Sequence, residues 1–462
     1  MKRVAVFLIL TIVMVMMSGL AQAGTMTLDD CIQLALEKRA SIIQARGAEG
    51  SAAAGKRAAL GAFLPNIRAS YSYSKGKQTN INPPDIQVTQ YTDAFDTTAI
   101  DGDTVRDAIR VPVEWETITS QDQGPSKSWA ATADMDIFNA ANWFQYAAAG
   151  AAKAGAKLDV LASEQDLITS VKVSYYAHLA AVQNVTVQEE AVKRAAEQLK
   201  LIESRFELGS ASKSDVLRQK VQYGNDQLAM LSATNAVTDT RANLAYTIGI
   251  DPREDLQFET VPIGRQYEGT LDEAIGFGIE HNPRLLSSEK TTDQARHSLR
   301  AAKSTYLPTL SASADYRKFN GTQSFTNSTL QYSNRSYSYG FSIGYSIFDG
   351  FLREKRVTDA KVFRNNAMAS LADTRNSVVA GIKSSYLKIE QLKKQQEVST
   401  ENVTAAEEDY RITKEKYNLG AATILDLLDS QVTLKGAQVA LINVQFDLNL
   451  AIAQLEYAMG KM

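Results

Sequence analysis

The sequence predicts a mixed α and β membrane protein with an internal twofold duplication. Three observations carry this. Landmarks recur in one order at nearly fixed offsets, two proline-free stretches are long enough for very long helices, and four strand-like runs have one apolar and one polar face.

The duplication is read by self-comparison. Thr27-Leu-Asp-Asp30 matches Thr270-Leu-Asp-Glu273, and Phe63-Leu-Pro65 matches Tyr306-Leu-Pro308, both at an offset of 243. Ile137-Phe-Asn139 matches Ile347-Phe-Asp349 at 210. Leu208-Gly209 matches Leu419-Gly420, Asp215 matches Asp426, and Tyr246 and Gly249 match Tyr457 and Gly460, all at 211. The drop from 243 to 210 places 33 extra residues of the first copy between Pro65 and Ile137. The copies are 24–249 and 270–462, joined by a linker at 250–269 that holds Pro252 and Pro262.

Each copy reads helix, strand, loop, strand, very long helix, turn, helix. The first helices are expected at about 28–62 and 270–305, each stopped by a Leu-Pro pair. No proline falls between 126 and 251 or after 308, so helices over 139–207 and 350–418 run uninterrupted. At ~1.5 Å per residue each is on the order of 100 Å long and needs a partner along its length. Sevenfold recurrence supplies a seam: Leu161, Ile168, Tyr175 and Val182, then Val185, Val192, Leu199 and Phe206, and in the second copy Ile382, Ile389, Val403, Tyr410 and Tyr417. The polar opposite faces suit a two-faced or hollow bundle. Return helices follow at 213–248 and 424–459.

After each Leu-Pro the period switches to two. Strands are expected at about 66–74, 127–137, 309–317 and 336–348. Ile67, Ala69, Tyr71 and Tyr73 share a face, as do Trp129, Ala131, Ala133, Met135 and Ile137. Leu310, Ala312, Ala314 and Tyr316 share another, and so do Tyr337, Tyr339, Phe341, Ile343, Tyr345 and Ile347. Small polar and charged residues alternate with them. Runs of ~9–11 residues cross a bilayer as tilted strands, with lipid outside and water inside. A soluble amphipathic sheet has the same alternation. Four strands in lipid cannot close, and open edges leave backbone groups unpaired at several kcal/mol each, so a barrel requires several copies. The long loop over 75–126 is expected outside the cell.

Composition narrows the function classes. Lys and Arg total 49 against 52 Asp and Glu, which removes the footprint of a duplex-binding protein, and no nucleic-acid partner is expected. One cysteine and three histidines exclude a disulfide framework and a structural zinc site, and His178, His281 and His297 assemble no nucleophile–base pair. No catalytic residue, metal or cofactor is expected. Cys31 reads as a small buried residue, and His178, on the seam, as packed. Gly276-Phe-Gly278 lies in a helical pattern after no strand and carries no phosphate-loop meaning. The methionines cluster at the N-terminus and form no relay for a metal.

Lys2 and Arg3 precede the apolar stretch 4–17, and Ser18-Gly-Leu-Ala-Gln-Ala23 ends in small residues at the cleavage positions. This is a secretory signal peptide over 1–23, cleaved after Ala23, with no cysteine there for lipidation.

The turns can be read from local physics. Gly209 and Gly420 suit left-handed C-terminal caps. Ser212-x-x-Asp215 and Thr423-x-x-Asp426 read as capping boxes. Asp429 has no counterpart in the first copy, where Arg218 stands, and three residues after Asp426 it shares that residue's helix face.

Taken together, the duplication, the Thr-Leu-Asp starts, the Leu-Pro boundaries, the two Leu-Gly turns and above all Tyr417-Asn-Leu-Gly-Ala-Ala-Thr-Ile-Leu-Asp-Leu-Leu-Asp429 resemble the TolC-like outer membrane efflux protein family. The resemblance implies a homotrimer in the outer membrane, with a twelve-stranded transmembrane β-barrel continued by a long periplasmic α-helical barrel of coiled-coil helices. It implies a passive exit duct of a tripartite efflux or type I secretion system. Such a duct is opened by a periplasmic adaptor (membrane fusion) protein and, indirectly, an inner-membrane pump of RND, ABC or MFS type. It carries aperture roles to Asp426, Asp429, Tyr417, Asp215 and Ser214. Adaptor contact falls on the turns Leu208, Gly209, Ser210 and Ala211, and Leu419, Gly420, Ala421 and Ala422. Stacked carboxylate rings there are expected to raise the aspartate pKa values and favour cations. The family pattern has arginine where this chain has Ala422, which removes an arginine latch at that position and predicts a looser closed state. The rival reading is an exported structural or adhesive coiled-coil rod without a channel.

Overall fold

The computed structural model describes residues 25–75, 93–94, 109–110, 125–254, 256–259, 267–325 and 328–461. The signal peptide over 1–23 and most of the loop over 75–126 lie outside the described residues. In chain order the elements are α1 (Leu28–Lys38), α2 (Ala40–Gly61), β1 (Asn66–Ser74), β2 (Asp93–Ala94), β3 (Ile109–Arg110), β4 (Ser126–Phe138), α3 (Ala140–Glu207) and α4 (Lys213–Ile248). The second half holds α5 (Leu271–His281), α6 (Pro283–Ser304), β5 (Thr309–Phe325), β6 (Ser328–Gly344), α7 (Leu352–Asn418) and α8 (Ile424–Met459). The chain divides into a helical unit and a sheet unit, the latter spanning Leu60–Asn142 and Ser304–Gly350. Among the described residues no helix is long and apolar enough to cross a membrane.

The helix expected at 28–62 is two helices, broken at Arg39, whose backbone is extended (φ −70°, ψ 130°). The helix expected at 270–305 breaks likewise at Asn282 (φ −66°, ψ 116°). Pro283 explains the second break, because the residue before proline is driven out of the helical region. Arg39 has no proline after it, and its guanidinium instead donates to the Tyr246 carbonyl at 3.0 Å. Thr27 and Thr270 cap these helices as full capping boxes with Asp30 and Glu273. Each cap lowers the carboxylate pKa through hydrogen bonds from its threonine.

The described residues 256–259 of the linker pack on the helical core. Phe258 pairs in parallel with Met26, the Tyr175 hydroxyl donates to the Glu259 carbonyl at 2.6 Å, and Phe258 meets the rings of Tyr175 and His178 edge-on. His178 is buried there, 3.2 Å from the Thr240 hydroxyl, and burial, with Arg241 beside it, lowers its pKa. Cys31 is fully buried in the same cluster, which pushes its thiol pKa up to about 12.

The coiled-coil spacing is sevenfold, and in α3 the expected set holds in part: Tyr175 is fully buried and Leu199 packs on a buried cluster. Val182 and Phe206 are exposed, whereas Gln188, Ala195 and Ile202, seven apart, are buried with Ala191 and Gln198 between them. Small side chains let the helices approach, so alanine marks the closest seam and the larger residues flank it. Gln219 of α4 is fully buried opposite, its amide donating to the Ala195 carbonyl at 3.1 Å. In α7 the expected set does face inward: Ile382 and Ile389 are buried, and Tyr410 and Tyr417 pack on a buried cluster.

The sheet unit is an antiparallel sheet in the order β1-β4-β5-β6. Its register aligns the apolar sets directly. Tyr71 opposes Trp129 and Ile67 opposes Ala133, Ala131 opposes Tyr316 and Met135 opposes Ala312, and Ala314 opposes Tyr339 and Ala312 opposes Phe341. Opposed residues share a face, so one side of all four strands is apolar. The other side carries Arg68, Asp134, Asp315 and Arg317 with serine pairs such as Ser72–Ser128 and Ser311–Ser342 at 2.9 Å. A register shift between Asp136 and Phe138 ends the strict alternation there, so Ile137 falls out of the ladder. β5 and β6 are 17 residues each, longer than the alternation predicts. Beyond Arg317 the aromatics Phe319 and Tyr332 meet on the polar side, their tilted rings 5.6 Å apart, which hides the period from the sequence. β6 ends at Gly344, before Tyr345 and Ile347, and the chain turns through Gly350 and Phe351, both at φ 67°.

Candidate functional site at the paired helix turns

Two helical hairpins end in matching turns. α3 closes at Gly209 (φ 76°) and α7 at Gly420 (φ 75°). Ser210 N–H reaches back to the Arg205 carbonyl at 2.8 Å and Ala421 N–H to the Lys416 carbonyl at 2.8 Å, the double closure that a left-handed glycine permits. Two residues later each return helix opens on a capping box. In the first, Ser212 Oγ donates to Asp215 Oδ2 at 2.7 Å while Asp215 N–H donates to Ser212 Oγ at 3.1 Å. In the second, Thr423 Oγ1 donates to Asp426 Oδ2 at 2.7 Å, joined by Thr423 N–H at 2.8 Å.

Behind the turns Ile202, Val216, Ile424 and Leu427 form a buried cluster drawn from α3, α4 and α8. In front of it the turns flank a groove of about 770 Å³ lined among others by Arg205, Ser214, Asp215, Tyr417, Asn418 and Ala422. Ser214, Asp215 and Tyr417 therefore meet at one place. The exposed faces of Leu208 and Leu419, each 84 % accessible, are the most prominent apolar groups of the turns.

Within one chain the Asp426 carboxyl is held low, because the Thr423 hydroxyl and backbone both donate to it; raising by like charge belongs to rings drawn from several copies. Asp426 and, one turn further along α8, Asp429 are both exposed, and neither is among the residues that line the groove. Tyr417 is pushed up, first by burial, with Arg205 pulling it down and Asp215 raising it.

Sequence reasoning missed Arg205. Its guanidinium donates to Asn418 Oδ1 at 3.1 Å and to the Tyr417 carbonyl at 3.5 Å, and lies 5.2 Å from the Tyr417 ring centroid. An arginine thus bridges the two hairpins from the end of α3, although position 422 is alanine. The sequence signal was a basic residue in the last turn of a long helix, which does not name a partner 212 residues away. Higher up, Lys435 Nζ of α8 meets Asp226 Oδ1 of α4 at 2.6 Å, and Gln222 Nε2 donates to the other oxygen at 3.1 Å. Asp226 is buried, so this charge pair ties the hairpins away from water.

The sequence pattern of the outer membrane efflux proteins matches residues 31–249 and 278–461. The chain belongs to the outer membrane efflux protein family. Efflux through the outer membrane is the function this membership assigns. Outer membrane protein TolC of Vibrio cholerae serotype O1 is 24% identical over 353 residues, 75% of this chain and 80% of that protein. The fold is that of solved family channels. The outer membrane protein VceC from Vibrio cholerae superposes with a TM-score of 0.73 at 19% identity, over 94% of this chain and 96% of that one. The Campylobacter jejuni CmeC outer membrane channel gives 0.74 at 17% identity, over 94% and 85%. Among the described residues of this efflux protein no cluster of three or more His, Cys, Asp or Glu is placed to hold a metal.

Proposed function

We propose that this protein is the passive exit duct of a tripartite efflux or type I secretion system. The duct is a homotrimer in the outer membrane, reached through the signal peptide over 1–23. Four strands from each copy close a twelve-stranded transmembrane barrel, and the long helices of the duplicated halves form a periplasmic tunnel. The observation that carries this reading is the sheet. It is apolar across all four strands on one face and polar on the other, and β1 and β6 are both free edges within the described chain. A barrel abolishes both edges and presents the apolar face to lipid.

The paired turns are then the periplasmic end. Asp426 and Asp429 from three copies make stacked carboxylate rings, and Tyr417, Asp215 and Ser214 hold the aperture closed with Arg205. The turns Leu208–Ala211 and Leu419–Ala422 receive the periplasmic adaptor, which couples the duct to an inner-membrane pump of RND, ABC or MFS type.

Fractionation of cells expressing the full chain tests this. The protein is expected only in the outer-membrane fraction, shortened by its first 23 residues, and extracted by detergent as a trimer that dissociates on heating. A protein released without detergent as a monomer or dimer overturns the reading.

A further inference from the structure

The apolar face of the sheet ends in cations. Its rungs run from Leu310 and Ile343 through Ala312 and Phe341, Ala314 and Tyr339, and Tyr316 and Tyr337 to Lys318 and Arg335. Trp129 stands opposite Lys318 and Tyr71 opposite Trp129, so this rung holds two aromatics beside two cations. One rung further out on the same face, Lys127 lies between Tyr73 and Asn320. Lys127 and Arg335 are exposed and Lys318 is half-buried.

Among the described residues no carboxylate balances them. Asp134, Asp136 and Asp315 stand on the opposite face of the sheet, and Lys127, Lys318 and Arg335 make no ion pair. Lys318 and Arg335 are direct cross-strand neighbours, with Cβ atoms ~4.5–5.5 Å apart, and like charges so placed repel. An anion from outside the chain turns that repulsion into attraction. A further donor is at hand. Ser333 Oγ donates to Asn320 Oδ1 at 2.7 Å, which leaves the Asn320 amide nitrogen to donate elsewhere.

The chain sets this cluster at one end of the sheet. β1 and β5 begin, and β4 and β6 end, next in sequence to helices, whereas the cations lie toward the other end, where β5 and β6 are joined at 326–327. From Ile343 to Arg335 is eight residues, ~27 Å along the strand and ~20 Å along the membrane normal at a tilt of ~40°. The apolar band of an outer-membrane barrel is ~25 Å tall and bounded by aromatic girdles. Tyr71, Trp129 and Tyr337 fit its outer girdle, with Tyr71 and Trp129 ring to ring at 4.6 Å, and the long stems of the cations carry their charges to the headgroup layer.

We propose that Lys127, Lys318 and Arg335 form a binding site for the phosphate groups of the glycolipid of the outer leaflet. The inference rests on the barrel proposed above, in which this face meets lipid and this end of the sheet points out of the cell. A phosphate monoester carries between one and two negative charges at neutral pH, which suits two opposed cations with a third one rung away. The planar Arg335 fork can take two phosphate oxygens, and Lys318 and Lys127 add point charge. Trp129 and Tyr71 give the sugar and the upper acyl chain an amphipathic surface to lie on.

Native mass spectrometry of the full chain in non-ionic detergent, titrated with purified lipid A, tests this. Expected are trimers carrying lipid A, with the bound fraction at least tenfold lower when Lys318→Gln and Arg335→Gln are combined and several-fold lower in Lys127→Gln. Arg317→Gln, on the other face, is expected within about twofold of the parent, and Lys318→Arg likewise. Lipid A stripped of its phosphates, or phosphatidylglycerol in its place, is expected to bind at least tenfold less. Parent trimers that take up no lipid A overturn the site and leave the duct standing. So does equal binding by the double variant or of the stripped lipid. Equal binding of phosphatidylglycerol, or displacement of lipid A by inorganic phosphate at the same concentration, overturns the assignment to the glycolipid. Should the double variant give no trimer, Lys127→Gln and the stripped lipid decide. A parent protein that is a soluble monomer overturns the duct and the site together.

Discussion

Phe341→Arg is expected to deplete the protein from the outer membrane by more than tenfold, while Ser342→Arg leaves its level within about twofold, since each 1.4 kcal/mol is a factor of ten. The two positions are neighbours on β6. Phe341 stands opposite Ala312 on the apolar face and Ser342 opposite Ser311 on the polar one. An arginine facing lipid at mid-membrane costs ~2–4 kcal/mol, and a trimer incurs the cost three times. On the polar side, which the proposed barrel turns to water, an arginine joins Arg68 and Arg317. The comparison holds size and charge constant, so the difference reports the face alone. Immunoblots of washed outer membranes, with Phe341→Leu as the control for lost volume, give the result. Equal levels for the two arginine variants contradict a lipid-facing sheet.

Arg205→Ala is expected to raise the conductance of the resting channel several-fold. The substitution removes the bridge between the hairpins: a charged hydrogen bond to Asn418, worth ~1.5–3 kcal/mol, and the cation over the Tyr417 ring, worth ~0.5–1 kcal/mol where exposed. Solvent screening at the half-exposed tip reduces this, and ~1–2 kcal/mol remains to shift a closed–open equilibrium by roughly 5- to 30-fold. Arg205→Lys keeps the charge but loses the planar fork, and is expected in between. The cluster of Ile202, Val216, Ile424 and Leu427 is untouched, so thermal unfolding changes little while the channel current changes much. Conductance equal to the parent's assigns Arg205 no part in closure.

Much of this architecture is legible in the sequence because its causes are local. The alternation of Ile67, Tyr71 and Tyr73, or of Tyr337, Tyr339 and Phe341, marks a two-faced strand whatever surrounds it. Gly209 and Gly420 with their following Ser212 and Thr423 spell a helix stop and start within a few residues. Illegible features are those set by partners far along the chain. The α3 seam runs through Gln188, Ala195 and Ile202 because α4 approaches closely there, and no property of those residues alone outranks Val182 or Phe206. The break at Arg39 has no proline to announce it. The outer parts of β5 and β6 lose the period where Phe319 and Tyr332 change sides. Within the site, Tyr417, Asp215 and Ser214 could be carried over from the resemblance. Arg205 could not, because the absence of arginine at position 422 said nothing of where another stood.

The central claim is that several copies of this chain enclose a water-filled path across a membrane. Single-channel recording of the detergent-purified protein in planar bilayers, with its mass determined on the same sample, tests it most directly. The account predicts a trimer with a small, steady, cation-preferring conductance, and a weaker cation preference in Asp429→Ala, which removes one exposed carboxylate per copy. A soluble monomer or dimer that passes no current contradicts it, and leaves the long helices as those of a rod.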